Sequence, residues 1–430
     1  MGRLVKIISY GCQMNAYDSR LISRLLSEKG YEETKELSRA DLVLVNTCSV
    51  RQHAEDRAWG RLGVLKGVKA SNPKVKIGVC GCMAQRLGAE IMERLPDVDF
   101  VVGPDNYREI LELVEAGGCS LNQGGESYSD LFPLDGGCVS QFVAIMRGCD
   151  NFCTYCIVPY VRGRERHRPP RDVRHEVERL ARSGVKEVTL LGQSVNSYRS
   201  NGSDFASLLH ELNKVEGIER IRFTTSHPRD LSQEVLDAMS ECEKVCEHLH
   251  LPLQSGSTKV LSLMNRDYTG EGYLALVDKA RRTVPGLSIT TDIMVGFPGE
   301  TADDFEETLG VVQSVRFDFA YMFAFSAREG TRAAAFENQV PEEERGERLA
   351  RLIEIQNRIT RERATELLGE KVEVLVEGRS KRSERESCGR TRSNKLVVFP
   401  GQPIEGELVW VEVCELRGGT PYGRRLGGAP

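Results

Sequence analysis

Short apolar runs alternate with amphipathic helical patterns along most of the chain. In residues 1–120 the runs LVKIIS, DLVLVN, VKIGVC and VDFVV are rich in Val and Ile, which favours buried parallel strands. Between the first two, YDSRLISRLLSEKG predicts a helix that ends at a glycine suited to a C-cap. This alternation predicts an α/β domain over residues 1–120, built on a doubly wound parallel sheet.

A second alternating region is predicted over residues 139–367, after a Gly/Ser/Asp-rich linker at 121–138. Its candidate strands are QFVAIMR, KEVTLLG, RIRFTT, HLHL, LSITTDIMVG and FDFAYMFAF. Helices are predicted at 171–183, 204–214, 232–241, 270–283 and 301–314, and a charged amphipathic helix at 343–367. A complete eight-unit barrel takes about 250 residues. The six strands therefore predict an incomplete, TIM-like (β/α)6 barrel.

The pattern changes again near residue 370. KVEVLVE, KLVVF and ELVWVEV indicate strands, and polar loops containing glycine separate them without a helical pattern. Residues 368–430 are therefore expected to form a small all-β barrel of the OB-like kind.

Composition narrows the class of protein. The chain has 430 residues and a net charge of −5, so no global excess of positive charge points to nucleic acid. It contains no long apolar run that would span a membrane and no signal-peptide pattern at its start, which predicts a cytoplasmic protein. We expect it to be a monomer. The thirteen cysteines are then better explained as metal ligands or buried thiols than as disulfides.

Three of these cysteines lie within RGCDNFCTYCIVPY, directly after the first strand of the predicted barrel. Cys149, Cys153 and Cys156 follow a C-x3-C-x2-C spacing at the strand end where such barrels place their chemistry. A four-iron cluster normally takes four thiolates. Three protein ligands would leave one iron open to a small molecule. The alternative is a structural zinc site, which usually has four protein ligands.

Three further cysteines follow successive strands of the first domain. Cys12 in SYGCQMN, Cys48 in NTCSVR and Cys82 in CGCMAQR each lie just past a strand's carboxyl end, the edge that forms the ligand crevice of an open α/β sheet. We therefore predict a second three-thiolate site. The alternative is three buried apolar cysteines. Cys80 competes with Cys82 but is expected to end its strand.

Six phrases occur together and in order, and they carry a resemblance to a known family. They are SYGCQMN, NTCSVR, GCMAQR, RGCDNFCTYCIVPYVRGRE, LHLPLQSGS and DIMVGFPGET. The chain resembles the methylthiotransferase branch of the radical S-adenosylmethionine enzymes, and its C-terminal barrel is similar to the RNA-binding TRAM domain that ends members of that branch. NTCSVRQHAEDR and TYCIVPYVRGRERHR are most similar to the members that act on tRNA.

This resemblance implies an enzyme with two [4Fe–4S] clusters that uses S-adenosylmethionine and an electron donor. Cys149, Cys153 and Cys156 would hold the radical-generating cluster, and Cys12, Cys48 and Cys82 an auxiliary cluster that carries the sulfur. The implied reaction adds a methylthio group at C2 of N6-isopentenyladenosine 37, beside the anticodon of tRNA. Relatives acting on threonylcarbamoyladenosine in tRNA or on a ribosomal-protein aspartate remain alternatives, as does a non-catalytic iron–sulfur protein that binds RNA.

Polar residues near the ends of the predicted barrel strands are candidates for binding S-adenosylmethionine. Tyr155 lies between two cluster cysteines, where it could shelter the adenine or fill the barrel mouth. The other candidates are Gln193, Asn196, Ser226, Gln254 and Asp292. For each of them, ordinary loop capping is the alternative.

Two basic runs are candidates for RNA contact. RGRERHRPPRDVRH (162–175) follows the cluster loop, and GRSKRSERESCGRTRSNK (378–395) lies between strands of the C-terminal barrel. Arginine forks suit phosphate, and OB-like barrels bind single strands through such loops. The candidates are Arg162, Arg164, Arg166, Arg168, Arg382 and Arg390. A solvated surface is the alternative for either run.

Overall fold

The computed structural model describes residues 2–49, 52–133 and 137–427. A six-stranded parallel sheet in the order β2-β1-β3-β4-β5-β6 forms the first domain. Its strands are β1 (Arg3–Ser9), β2 (Tyr31–Glu33), β3 (Leu42–Thr47), β4 (Lys76–Gly81), β5 (Phe100–Val102) and β6 (Gly118–Ser120). The helices that accompany them are α1 (Gln13–Ser27), α2 (Gln52–Ser71), α3 (Cys82–Leu87), α4 (Glu90–Arg94) and α5 (Ile110–Ala116).

Both faces of this sheet are covered, as a doubly wound sheet requires. On one face Tyr17 and Leu21 of α1 join Ile110 of α5 in a buried cluster. On the other, Leu62 of α2 and Met83 of α3 lie in a second buried cluster. The predicted sheet is confirmed. The short strands β2 and β6 were not predicted, because three residues are too few to show a period.

Six parallel strands form the central barrel in sequence order. They are β7 (Ser140–Ala144), β10 (Glu187–Leu191), β13 (Arg220–Phe223), β14 (His248–His250), β15 (Ser288–Val295) and β16 (Phe319–Ala324). They divide into the sheets β7-β10-β13 and β14-β15-β16, which an isolated bridge from Ile221 to Val245 connects. The barrel is therefore open between β16 and β7, which agrees with the predicted incomplete barrel.

Helices accompany these strands, and most of them cover the outside of the barrel. They are α6 (Val158–Arg162), α7 (Pro170–Arg182), α8 (Phe205–Asn213), α9 (Gln233–Glu241), α10 (Thr258–Leu263), α11 (Gly270–Thr283), α12 (Ala302–Val315) and the long α13 (Glu342–Thr365). Two short antiparallel ribbons lie in the loops: β8 (Met146–Arg147) pairs with β9 (Arg166–His167), and β11 (Arg199–Ser200) pairs with β12 (Ser203–Asp204). No described helix is long and apolar enough to cross a membrane.

The C-terminal unit is a closed five-stranded barrel in the order β17-β18-β19-β21-β20, as predicted. Its strands are β17 (Lys371–Ser380), β18 (Ser383–Thr391), β19 (Leu396–Pro400), β20 (Leu408–Arg417) and β21 (Thr420–Arg425). It docks where the central strands begin. Arg220 donates to the carbonyl of Arg390 across 2.6 Å, and Arg222 to the carbonyl of Thr391 across 2.7 Å. Both arginine side chains are buried.

The first domain packs against the central barrel through its helix α1. The Tyr17 hydroxyl lies 3.2 Å from a Glu176 carboxylate oxygen of α7, and Ala144 and Leu191 of the barrel share a buried cluster with α1. The segment 121–138 connects the two units. Its Tyr128 is buried and stacks on Tyr107, so the connection packs against the first domain at this residue.

Candidate functional site

Cys12, Cys48 and Cys82 follow β1, β3 and β4, which are adjacent strands of the first sheet. Cys12 is the N-cap of α1, Cys48 comes directly after β3, and Cys82 is the first residue of α3. The carboxyl ends of parallel neighbours share one edge, so topology brings the three thiols together. The charge states of Cys48 and Cys12 both affect the pKa of Cys82.

Two asparagines fix the loops that carry Cys12 and Cys48. The Asn15 side-chain oxygen accepts from the Cys12 backbone N–H at 3.4 Å and lies 3.2 Å from its sulfur. The Asn15 amide nitrogen donates to the carbonyl of Thr47 across 2.9 Å and to the side chain of Asn46 across 3.0 Å. These bonds position the two cysteine loops relative to each other without using the Cys48 sulfur.

Glycines allow the loops to approach closely. Gly11 has φ +125°, and a Cβ there would lie 2.5 Å from the Cβ of Cys48. Gly81 has φ +94°, and a Cβ there would lie 2.4 Å from the carbonyl oxygen of Thr47. A side chain at either position would therefore strain the backbone and push the cysteine loops apart.

Cys80 and Cys82 have different surroundings, although β4 ends at Gly81, one residue later than predicted. Cys80 lies within β4 in the core beside α1, and its pKa is raised by burial, with Asp18 and Cys82 as the charged neighbours. Burial raises the pKa of Cys82 to about 12, and its charged neighbours are Arg162, Cys48 and Cys12. The geometry therefore groups Cys82, rather than Cys80, with the other two loop cysteines.

Cys149, Cys153 and Cys156 form the second triad, in the loop after β8. Backbone bonds brace this loop: the Cys149 N–H donates to Gly163 across 3.1 Å, and the Cys156 N–H to Cys153 across 2.9 Å. Between the cysteines, Thr154 donates from its backbone to Met264 and from its hydroxyl to Leu263, at the end of α10. The triad is thus held against the barrel from two sides.

Burial weakens the acidity of two thiols of this triad, those of Cys149 and Cys156. It raises the pKa of Cys149 to about 11 and that of Cys156 to about 12, with the other cysteines of the triad adding to the shift. Free thiols of this kind stay protonated near neutral pH. Iron binding replaces those protons, so cluster assembly at this site releases protons.

The donor chemistry of both triads fits iron–sulfur clusters. Each triad has three thiols, and none of the cysteines in the described residues forms a disulfide. Among the described residues, no group of three or more His, Cys, Asp or Glu side chains converges on one point suited to a single metal ion. A four-iron cluster bonds each thiolate to a different iron, so its ligands need not converge in that way.

A buried arginine lies beside one sulfur of each triad. Arg162 Nε is 3.2 Å from Cys82 Sγ, and Arg266 Nη1 is 3.7 Å from Cys153 Sγ. Arg266 also donates to the Tyr155 hydroxyl across 3.1 Å. Iron–sulfur clusters with thiolate ligands carry negative charge, so each cation suits such a group. No sequence motif points to Arg266, because it lies 110 residues beyond its triad in an ordinary loop.

The two triads lie on either side of a shared apolar contact. Ile157, directly after Cys156, is buried in one cluster with Cys82 and Val161. Next to this contact a cavity of about 190 Å³ is lined by Ser49, Gln52, Arg86, Ile157, Ala327, Arg328 and Glu329. The buried Ser49 hydroxyl, one residue after Cys48, has no hydrogen-bond partner among the described residues. Residues beside both triads therefore line the same cavity.

The candidates for S-adenosylmethionine fall into two groups. Gln193 Oε1 and Ser226 Oγ are buried and have no partner in the described part of the chain, so they can still bind a ligand. Gln254 has a left-handed backbone with φ +65°, and Asp292 lies 3.5 Å from the His250 ring. Tyr155 packs its ring edge-on against Phe297, which favours the role of filling the barrel mouth.

Asn196 is already hydrogen-bonded within the protein. Its amide donates to the His227 carbonyl across 2.7 Å and accepts from the His227 N–H across 2.9 Å. Both ends of the side chain are therefore used in fixing the loop after β13. These bonds fix Asn196 beside Ser226, and one N–H of its amide is left for a ligand.

The prediction that the first basic run contacts RNA is corrected in part. Arg162 and Arg168 are 4% and 2% exposed, so neither can reach a phosphate. Arg162 pairs with Asp18 at 2.9 Å, and Arg168 pairs with Glu176 at 2.6 Å. Arg166 pairs with Asp105 and is largely covered. Only Arg164 of the four predicted contacts is well exposed, with its guanidinium 4.7 Å from the centre of the Phe152 ring.

The second basic run is most exposed at the tip of one hairpin. Arg382 lies at the tip of the β17–β18 hairpin and is exposed. Arg390 pairs with Glu377 across 3.2 Å and donates to the carbonyl of Asn394. The hairpin tip is therefore the more accessible part of this run.

Three family models match this chain in sequence order. The uncharacterized protein family UPF0004 matches residues 4–103, the Radical SAM superfamily matches 143–312, and the TRAM domain matches 366–424. The solved structure of the radical S-adenosylmethionine methyltransferase TsrM from Kitasatospora setae has a TM-score of 0.62 and 14% identity, covering 77% of this chain and 75% of that one. That likeness confirms the fold.

Two curated relatives extend over nearly the full length. The tRNA-2-methylthio-N(6)-dimethylallyladenosine synthase of Acetivibrio thermocellus is 48% identical, covering 96% of this chain and 88% of that protein. The protein of the same name from Clostridioides difficile is 46% identical, covering 96% and 90%. The chain therefore belongs to the family of the tRNA-2-methylthio-N(6)-dimethylallyladenosine synthases, within the radical S-adenosylmethionine enzymes.

Proposed function

We propose that this protein methylthiolates tRNA at C2 of N6-isopentenyladenosine 37, with S-adenosylmethionine and two [4Fe–4S] clusters. The observation that carries the proposal is the placement of two cysteine triads beside one cavity, in a chain of this family. When bound, the clusters and S-adenosylmethionine supply the sulfur, the methyl group and the radical chemistry. The C2–H bond of adenine is not acidic enough for an ordinary side-chain base, which makes radical chemistry suitable.

The protein's own residues would position the reactants and exclude water. Cys12, Cys48 and Cys82 would hold the auxiliary cluster, and Cys149, Cys153 and Cys156 the radical cluster. Gln193 and Ser226 would donate to or accept from S-adenosylmethionine, since each has a buried polar atom without a partner in the described residues. Gln254 and Asp292 lie on neighbouring segments, and the Gln254 N–H donates to the Asp292 carbonyl across 2.8 Å, which places both residues at the same level of the barrel.

The cavity between the triads would admit the target base. Arg86 and Arg328 line it together with Glu329, and Arg86 pairs with Glu55 behind it. Arg328 donates to the Gln52 side chain across 2.6 Å, which links the barrel loop to α2. Closure of the first domain over the barrel in this way would keep bulk water from the reacting atoms.

RNA would bind around the cluster loop through exposed cationic and aromatic side chains. Arg164 stacks on Phe152, whose ring also contacts the exposed Tyr160 edge-on. Anticodon-loop bases can stack on such rings. Arg382, with Lys381 beside it at the hairpin tip, would contact phosphate farther from the target. We further infer a cytoplasmic monomer that receives electrons from a separate donor.

The first test is nucleoside mass spectrometry after anaerobic reconstitution with iron and sulfide. The reaction contains S-adenosylmethionine, a strong reductant and tRNA bearing N6-isopentenyladenosine at position 37. The expected product is 2-methylthio-N6-isopentenyladenosine. If 5′-deoxyadenosine forms without that product, the substrate assignment is wrong, and threonylcarbamoyladenosine tRNA and the ribosomal-protein aspartate become the substrates to test. Absence of 5′-deoxyadenosine as well would favour the non-catalytic RNA-binding alternative.

A further inference from the structure

Three charged side chains are buried together between the first domain and the central barrel. Asp18 lies on α1 and is 0% exposed, Arg147 lies on β8, and Arg162 ends α6. Arg147 Nη2 is 2.6 Å from one Asp18 oxygen, and Arg162 Nη2 is 2.9 Å from the other. The Tyr107 hydroxyl donates to Asp18 across 3.2 Å. One carboxylate therefore bridges two guanidinium groups.

Among the described residues, this group has one positive charge more than the neighbouring carboxylates balance. The adjacent ion pair between Arg166 and Asp105, at 2.7 Å, is neutral as a pair and contributes no spare negative charge. Arg147 stacks on the Tyr128 ring at 4.8 Å, which stabilises a cation without neutralising it. Arg147 Nη1 and Arg162 Nη1 are buried, and neither has a partner among the described residues. A buried unbalanced charge is costly, so the arrangement suits a bound anion.

The position of Arg162 indicates where that anion would bind. Its Nε lies 3.2 Å from Cys82 Sγ, while its Nη2 is occupied by Asp18. A guanidinium holds its donors in a rigid fork, so the bond to Asp18 also fixes the direction of Nε. A sulfur bonded to iron accepts such a hydrogen bond better than a neutral thiol does, because it carries more negative charge.

We propose that Arg162, oriented by Asp18 and Arg147, is a positioning residue for the auxiliary cluster and raises its reduction potential. Hydrogen bonds to cluster sulfurs and nearby charges are established means of setting such potentials. A cation 3.2 Å from Cys82 Sγ stabilises the more negative, reduced state more than the oxidised state. The inference rests on the proposed role of Cys12, Cys48 and Cys82 as cluster ligands.

The competing explanation is that Arg162 only joins the two domains. A purely structural bridge predicts that removing Arg162 or removing Asp18 has the same effect, namely less stable protein and less cluster. An electrostatic role predicts opposite shifts in potential. Arg162→Gln removes a positive charge beside the sulfur, whereas Asp18→Asn removes a negative charge from the same network.

The test uses the full-length chain with Cys149, Cys153 and Cys156 replaced by Ala, so that only the auxiliary cluster is present. The protein is reconstituted with iron and sulfide, and the midpoint potential is measured by electron paramagnetic resonance during titration with titanium(III) citrate. Arg162→Gln is expected to shift the potential to more negative values, and Asp18→Asn to more positive values. Arg174→Gln, which removes the half-exposed ion pair to Glu178, is the matched control and leaves it unchanged.

The outcomes separate the inference from the function on which it rests. If the triple-alanine parent binds no cluster, the ligand assignment fails before Arg162 is tested. If the parent is loaded but both substitutions shift the potential in the same direction, or neither shifts it, the electrostatic role is wrong. Should Arg162→Gln lose the cluster, Asp18→Asn decides, because it leaves Arg162 in place and removes the neighbouring negative charge. An unchanged or more negative potential in Asp18→Asn would then overturn the proposal.

Discussion

Ile157 packs against Cys82, although the two residues belong to different domains and are 75 positions apart. Ile157 directly follows Cys156 of the radical triad, and Cys82 belongs to the auxiliary triad. The contact therefore fixes the spacing between the two triads through one buried side chain. A reaction that needs both sites at once depends on that spacing.

Ile157→Ala is expected to loosen this contact. Truncation of a buried isoleucine costs about 2–5 kcal/mol of unfolding free energy, because transfer energy is lost and a cavity remains. We expect a lower melting temperature, with 5′-deoxyadenosine still formed but less methylthiolated nucleoside per molecule of it. Val64→Ala, at a position 58% exposed on α2, is the control and should change neither quantity. An unchanged product ratio in Ile157→Ala would show that the contact is not needed for coupling.

Loss of one cysteine from each triad is expected to affect iron content and activity differently. Cys12→Ala should remove about half of the bound iron, abolish methylthiolation and leave cleavage of S-adenosylmethionine intact. Cys149→Ala should remove a similar amount of iron and abolish both activities. Iron analysis and 5′-deoxyadenosine measurement distinguish the two variants.

Cys80→Ala is the matched control for this comparison, since Cys80 is a buried cysteine two residues from Cys82 that lies within β4 in the core beside α1. It should keep its full iron content. Loss of the auxiliary cluster in Cys80→Ala, with retention in Cys82→Ala, would reverse the assignment of the ligand. Full methylthiolation by Cys12→Ala would contradict the auxiliary site altogether.

Arg266 is expected to matter for the radical cluster. Its guanidinium contacts Cys153 Sγ at 3.7 Å, the Tyr155 hydroxyl at 3.1 Å and the Tyr268 hydroxyl at 2.7 Å. Arg266→Met keeps the apolar stem but removes these bonds, and loss of such supporting contacts typically costs about 10–100-fold in affinity or activity. We expect a fall of that size in 5′-deoxyadenosine formation at fixed protein, with the auxiliary cluster retained. Wild-type rates in Arg266→Met would exclude this role.

The hairpin tip offers a test of RNA binding within the intact chain. Deletion of residues 368–430 would uncover the buried Arg220 and Arg222, so a change in tRNA affinity after truncation could reflect damage to the barrel. Replacing Lys381 and Arg382 together by Gln avoids this problem. We expect weaker tRNA binding and a shallower dependence of affinity on salt, because fewer counterions are released. Identical salt slopes for the variant and the wild type would show that the tip does not contact RNA.

The cysteine triads could be predicted because they depend only on strand order. Cys12, Cys48 and Cys82 each follow a strand, and parallel neighbours place those strand ends at one edge. The same logic placed Cys149, Cys153 and Cys156 at the barrel mouth. Helix α11 (Gly270–Thr283) also agrees with its predicted range, because the Thr269 side chain caps its first turn.

Side-chain partners that are distant in sequence could not be predicted in this way. Arg162 and Arg168 lie in a segment, residues 162–175, that contains six arginines. Such a composition is typical of an exposed basic surface. However, the β8–β9 ribbon turns this run back along the barrel, and the Arg168 N–H bonds to Ile145 across 2.9 Å. Asp18 on α1 and Glu176 on α7 then bind the buried guanidinium groups. Charge composition alone does not reveal such partners.

Two buried histidines predict that the iron-free protein loses stability in mild acid. Burial lowers the pKa of His248 to about 3 and that of His227 to about 2, whereas an unfolded histidine has a pKa near 6.5. Below that value the unfolded state binds more protons than the folded state. The histidine contribution is therefore fully present above the unfolded pKa and is lost as the pH falls from about 6.5 toward the folded values.

His248→Gln tests this sign without removing the polar contact to Thr290, whose hydroxyl lies 3.1 Å from the His248 ring. Urea denaturation of the iron-free chain between about pH 5 and pH 6.5 measures the slope, a range above most of the carboxylate titrations. We expect the free energy of unfolding to rise with pH in the wild type and to rise less steeply in His248→Gln, because one proton-binding group of the unfolded state is gone. Equal slopes for the two proteins would mean that His248 is protonated in the folded state, contrary to its burial beside Arg222.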